Sequence, residues 1–174
     1  DYYSPGIIGL MSANPQHRRA ARMAAVQALY QMDVSGEPSK AVVHEFRNHR
    51  FGHEDEPDMI VADEDFFEAI ILGVVSGQEA IDGIIADHLS KKWTLKRLDI
   101  TLRSIMRAGT YEVISRPDVP APVIIDEYVT VASEFFSANE PGFVNGALER
   151  IAKKVRSAEF GLPGSLAGTL PGRG

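Results

Sequence analysis

The sequence predicts an all-α protein, a compact helical bundle, on three observations. Apolar residues recur with a helical period across the whole span from Phe66 to Leu89. Asn14-Pro15 is a helix-start signal, with Asn as N-cap and Pro at the first helical position. No period-two alternation bounded by hairpin turns persists anywhere in the chain, which argues against a sheet.

The first helix runs from Asn14-Pro15 to about Val34, where Ser35-Gly36 stops it. A second, shorter helix spans Ser39 to about His49 on an apolar stripe of Val42, Val43 and Phe46, and the acidic stretch 52–62 is a loop. Asp63, a good N-cap, opens a central helix carrying Phe66, Phe67, Ile70, Ile71, Val74, Val75, Ile81, Ile84, Ile85 and Leu89. Gly73 and Gly77 lie inside it and mark either close packing or a bend. After Lys91-Lys92-Trp93, a helix or pair of helices runs from about Leu95 to Ser115, with Leu98, Leu102, Ile105, Met106, Val113 and Ile114 inward. Pro117, Pro120 and Pro122 then force an extended connection. Another helix follows from Pro122 to Ser137, and the last begins near Asn139 or Pro141. The chain thus divides into a helical domain over 14–157, a flexible N-terminal extension over 1–13 and a flexible C-terminal tail over 158–174.

A chain of 174 residues with 44% hydrophobic content buries a real core. The absence of cysteine excludes disulfides, thiolate zinc sites and cysteine nucleophiles, and suits the cytoplasm. Ile7-Ile8 and Leu10-Met11 are broken by Gly9 and follow no basic residue, so they do not read as a signal peptide, and the chain is expected to be soluble.

A net charge of −6 argues against a nucleic-acid partner until its distribution is considered. Residues 54–68 carry eight acids and no Lys or Arg; subtracting them leaves the rest of the chain at net +2. No Asp or Glu occurs between Tyr2 and Met32, where Arg18, Arg19 and Arg22 fall. Two further basic clusters stand at Lys91, Lys92, Lys96, Arg97 and at Arg150, Lys153, Lys154, Arg156.

Catalytic patterns are lacking. His44, His49 and His53 with Glu45 and Glu54 fit no regular ligand spacing and read as solvated polar residues. Asp126, Glu127 and Glu134 read as solvent-exposed helix charges rather than an acid/base set. No phosphate-binding glycine loop or dinucleotide fingerprint occurs, so no enzyme and no cofactor or metal is expected.

Arg18 and Arg22 are four apart and Arg19 and Arg22 three apart, so on a helix their guanidinium groups fan over one surface. Val26, Leu29 and Tyr30 continue that line inward, so the charged first turns must overhang the core. Cations at a helix N-terminus oppose the macrodipole by about 0.3–1 kcal/mol each, and something must offset that. Phosphates would, since guanidinium forks match their oxygens bidentately, and Tyr30 would add a stacking ring. Pairing with the acidic 54–68 segment is the alternative, and charge spacing alone leaves both open.

Four stretches, in order, resemble the NusB family of bacterial transcription antitermination factors: His17 to Arg22 leading into Ala25-Val26-Gln27-Ala28-Leu29-Tyr30; Ile71-Leu72-Gly73-Val74-Val75; Arg103 to Glu112; and Asp118-Val119-Pro120 through Phe143-Val144-Asn145-Gly146. The resemblance covers roughly residues 16–156. It implies six to seven helices in two three-helix halves, with an arginine-rich first helix that contacts single-stranded boxA RNA. It also implies a heterodimer with NusE, a small-subunit ribosomal protein, within the RNA polymerase antitermination complex that promotes read-through of rRNA operons. A homodimer is the alternative when that partner is absent.

Carried over by position, Arg18, Arg19, Arg22 and Tyr30 match RNA contacts, Phe143 and Asn145 continue that surface, and Asn139 and Glu112 fall to the partner side. Gly146 would allow a close helix approach. Ala20 stands where the family often has a basic residue, and Val131-Ala132-Ser133-Glu134 where it is rich in alanine and lysine, which implies weaker RNA binding. Asp126 replaces the common Asn of an Ile-Asn-Glu run. Two other readings share the resemblance: the NusB-like domain of rRNA cytosine methyltransferases, which the missing cysteine and α/β domain oppose, and a purely protein-binding helical adaptor.

Overall fold

The computed structural model describes residues 13–53, 55–56, 58–90 and 93–162. All but residue 13 of the expected N-terminal extension, and the expected C-terminal tail beyond residue 162, lie outside those residues.

Asn14 caps α1 (Pro15–Ser35) by accepting from the backbone N–H of Gln16 and His17, and Gly36 closes it in the left-handed conformation at φ 75°. The second element is shorter than the sequence suggests: α2 (Ser39–Glu45) gives way to one π turn over Phe46–Arg50. Phe51 then turns inward beside Phe46 and Phe67 and pairs with Ile60 in an isolated parallel bridge, which pins both ends of the acidic loop.

The long periodic stretch after Asp63 is two helices rather than one, α3 (Glu64–Ser76) and α4 (Gln78–Asp87), meeting at Gly77 with a bend of 79°. Both alternatives for the glycines hold. Gly77 marks the bend, and at Gly73 a methyl group would overlap the Tyr111 ring, so its bare backbone is what lets α3 approach the helix carrying Tyr111. Among the described residues no single helix is long and apolar enough to cross a membrane. A 3₁₀ turn (Leu95–Arg97) leads into α5 (Ile100–Ser115), capped by the Asp99 carboxylate. The prolines separate it from α6 (Ala121–Phe135), and α7 (Glu140–Val155) ends in a 3₁₀ turn over Ser157–Phe160.

Among the described residues six of the seven α-helices form two trios around one core. Helices α1, α2 and α3 pack on one another, as do α5, α6 and α7, while α4 joins them by lying against α3, α5 and α7. Helix α5 runs through the middle, touching α1, α3, α4, α6 and α7, and from Leu102 to Ile114 only Arg103 and Arg107 escape full burial. Those two arginines tie α5 to its neighbours: Arg107 holds Asp82 of α4 by two 2.8 Å hydrogen bonds, and Arg103 reaches Asp33 of α1, in the other trio, at 2.8 Å.

Candidate functional site

The start of α1 differs from the expected fan of three exposed arginines. Arg22 lies inside the bundle, 3% exposed, donating from Nε and Nη2 to the two Glu112 carboxylate oxygens at 2.9 Å each. Glu112, on α5, is 0% exposed and accepts a further hydrogen bond from the Tyr128 hydroxyl of α6. Two assignments are corrected by this: Arg22 offers no surface to RNA and Glu112 none to a partner. Both instead form a buried, two-point hydrogen-bonded ion pair that ties α1 to α5 and, through Tyr128, to α6. Burial pulls the Arg22 guanidinium toward losing its proton, but the Glu112 carboxylate outweighs it and holds the pKa above its ordinary value. Burial, with the Glu112 charge second, pushes the Tyr128 hydroxyl well above the usual tyrosine range.

Arg19 remains at the surface, 58% exposed, and donates from Nε and Nη2 to Glu127 of α6 at 3.0 Å each. That hydrogen bond, more than bare attraction, raises its pKa. Glu127 is therefore mostly covered, contrary to the expectation of a solvated charge, whereas Asp126 and Glu134 are exposed as expected. Arg18 is held more loosely, 3.6 Å from Asp63 and 3.9 Å from Asp118, with its guanidinium 4.4 Å above the Phe66 ring. Asp118 is anchored mainly by hydrogen bonds from Arg116, which keep its carboxyl below the usual range.

The cost of cations at a helix N-terminus is thus offset within the molecule, by Asp63, Glu112, Asp118 and Glu127. Only Asp63 belongs to the acidic segment; the others come from α5, α6 and the loop between them. The basic cluster on α7 is likewise not all surface. Arg156 is buried and donates to the carbonyls of Glu112, Val113, Arg116 and Val119, capping the C-terminus of α5. Lys153 pairs with Glu149.

Tyr30 is 43% exposed rather than core-facing. It lines a hollow of about 230 Å³ with Val26, Gln27, Thr101 and the exposed Phe135. Arg19 meets Glu127 at one end of the α1–α6 seam, and Tyr30 meets Phe135 at the other. Eleven residues is almost a whole number of helical turns, so Arg19 and Tyr30 share a face of α1, roughly 16 Å apart. That eleven-residue spacing is a signal present in the sequence, distinct from the Arg18–Arg22 line.

A second hollow, of about 280 Å³, lies across the start of α5 and is lined by Trp93, Leu98, Leu102, Asn139, Glu140 and Phe143. Thr101 faces the first hollow and Leu102 the second, so the two adjoin. Asn139 and Asn145 are exposed, and Phe143 is half-buried. Gly146 serves no close helix approach: a methyl group there would meet only the flexible tip of Arg150. Neither Phe135 nor Trp93 carries a site signal in the sequence: Phe135 falls on the apolar period of its helix, and Trp93 stands at a boundary after Lys91-Lys92.

The NusB family sequence model matches residues 19–153. The chain belongs to the NusB family. It is 51% identical over 144 residues to the transcription antitermination protein NusB of Maricaulis maris, covering 82% of this chain and 90% of that one. Among solved structures it resembles T. maritima NusB, with a TM-score of 0.68 and 31% identity over 83% of this chain and 97% of the other. It also resembles a chain from the crystal structure of antitermination factors NusB and NusE in complex with dsRNA, at TM-score 0.61 and 26% identity, over 79% of this chain and 96% of that one. The NusB fold with its two helix trios is therefore the scaffold on which the arginines and both hollows are set.

Proposed function

We propose that this NusB-family chain acts in transcription antitermination in the cytoplasm, holding single-stranded boxA-like RNA together with NusE as part of the RNA polymerase antitermination complex. The observation that carries the reading is the track along the molecule. It begins at the exposed Arg19, follows the α1–α6 seam to Tyr30 and Phe135, and crosses the start of α5 to the hollow of Phe143 and Asn139. An exposed, exchangeable arginine followed by aromatic rings in open hollows suits a strand whose phosphates and unstacked bases are both accessible. Arg18 joins Arg19 as a phosphate contact, since its ion pairs are longer than hydrogen bonds and exchange readily for a phosphate. Arg22 and Glu112 act from inside, fixing the helix that presents them. A solved structural neighbour of this chain, antitermination factors NusB and NusE in complex with dsRNA, supports RNA and NusE as the partners.

The test is fluorescence anisotropy of labelled boxA RNA with the chain alone and with NusE. Binding should strengthen when NusE is added, and Arg18→Ala with Arg19→Ala should weaken it while lowering the dependence of log affinity on log salt by about one per arginine. RNA binding absent under both conditions would leave only the protein-adaptor reading.

A further inference from the structure

We propose that Phe66, buried in the first turn of α3, is a positioning residue for RNA binding, whose ring seats the Arg18 guanidinium and leaves its outer N–H groups for a phosphate; this rests on the RNA-binding reading above. Phe66 and Phe67 both fall on the apolar period of their helix, yet their rings have different neighbours. Phe67 packs on the rings of Phe46 and Phe51. Around Phe66 stand three guanidinium groups instead, with Arg18 at 4.4 Å from the ring centroid, Arg22 at 4.9 Å and Arg116 at 5.0 Å. Each is within the roughly 6 Å over which the negative face of an aromatic ring attracts a cation.

Of the three cations, Arg18 is the one that leans on the ring. Arg22 donates two hydrogen bonds to Glu112, and Arg116 two to Asp118. Arg18 makes no side-chain hydrogen bond among the described residues: its Nε is buried 3.6 Å from Asp63, and its Nη2 stands 3.9 Å from Asp118, the acid that Arg116 already engages. A carboxylate occupies the guanidinium N–H groups that a phosphate needs, as Glu127 does with Arg19. A ring attracts the cation through its face and takes none of them. The ring is in turn fixed to α1. The Phe66 N–H donates to the Asp63 carboxylate at 3.1 Å, and the Asp63 N–H donates to the carbonyl of His17, the residue before Arg18, at 3.0 Å. Arg18, with its side chain 21% exposed, is thus held in place before RNA arrives, which spares part of the cost of ordering a long side chain on binding.

A double-mutant cycle separates positioning from general packing. The anisotropy of labelled single-stranded boxA RNA is followed over a range of salt with the full chain and NusE, for the parent, Arg18→Ala, Phe66→Leu and the two substitutions together. Phe66→Leu should weaken binding by about threefold to tenfold and lower the salt slope by about one, as Arg18→Ala does. With Arg18 already removed, Phe66→Leu should change the affinity by less than about twofold and the slope not at all. Replacing Phe66 with pentafluorophenylalanine keeps a six-membered ring but draws electrons from its face, so it should weaken binding as Phe66→Leu does; it also decides the matter if Phe66→Leu does not fold. Parental affinity and slope in both Phe66 variants, with Arg18→Ala still weakened, overturn the proposal while the RNA reading stands. Losses that add in the double variant assign Phe66 to packing and overturn it equally. Absence of any RNA binding to the parent chain removes both readings.

Discussion

The residue that organises this molecule is Glu112, which takes two hydrogen bonds from Arg22 and one from Tyr128 with no exposure to water. A charge buried this way is tolerable only while its partners remain. Glu112→Ala should therefore cost about 3–5 kcal/mol in urea unfolding, because it strands the Arg22 charge in the core. Replacing the pair together, Arg22→Met with Glu112→Leu, should recover most of that loss. If Glu112→Ala unfolds like the parent, the pair is not what holds α1. Tyr128 adds a pH signature. Its hydroxyl, like that of Tyr111, has its pKa raised chiefly by burial, so the folded state holds the proton more tightly than the unfolded one. The linked stability is complete below pH about 10 and falls above it, by up to about 1.4 kcal/mol per pH unit for each tyrosine. Alkaline unfolding curves should show that onset, and Tyr128→Phe should flatten it; an equally steep decline in the variant would exclude Tyr128 as a source.

Between elements, backbone proximity decides more than side-chain pattern. Helix α3 meets α5 where Gly73 faces Tyr111, and no side chain fits between them. Gly73→Ala should destabilise the protein by about 1–3 kcal/mol, read from thermal unfolding, as α3 is pushed off α5. An unchanged melting temperature would mean that the Tyr111 ring swings aside freely. The same stretch shows why the sequence reads as one helix where two exist. Apolar residues keep their spacing on both sides of Gly77, and periodicity records the phase of each turn but not the direction of the axis. The 79° bend serves the second trio, since α4 must turn to lie against α5 and α7.

At the scale of the whole molecule, the charges of α1 are balanced by residues brought from α5, α6 and the loop between them. Glu127 is the acid that faces the exposed Arg19. An RNA phosphate approaching Arg19 competes with it. Glu127→Gln should thus tighten RNA binding severalfold and steepen its salt dependence, with little change in stability because Arg19 is exposed. Anisotropy at two salt concentrations checks this, and weaker binding by the variant would mean that Glu127 orients Arg19 for RNA instead of competing for it.

The sequence by itself determined the all-α class, the α1 start at Asn14-Pro15, the glycines that bend or admit a neighbour, and the ordered motifs of the NusB family. These are local signals, written in spacing, caps and residue type over a few turns of chain. Only the tertiary structure decided the fate of the arginines. Arg22 and Glu112 are ninety residues apart, and no spacing rule tells which acid an arginine will meet. Whether Arg19 faces water, Arg22 the core or Trp93 an open hollow depends on which helices the bundle sets beside them, and burial is a property of that packing.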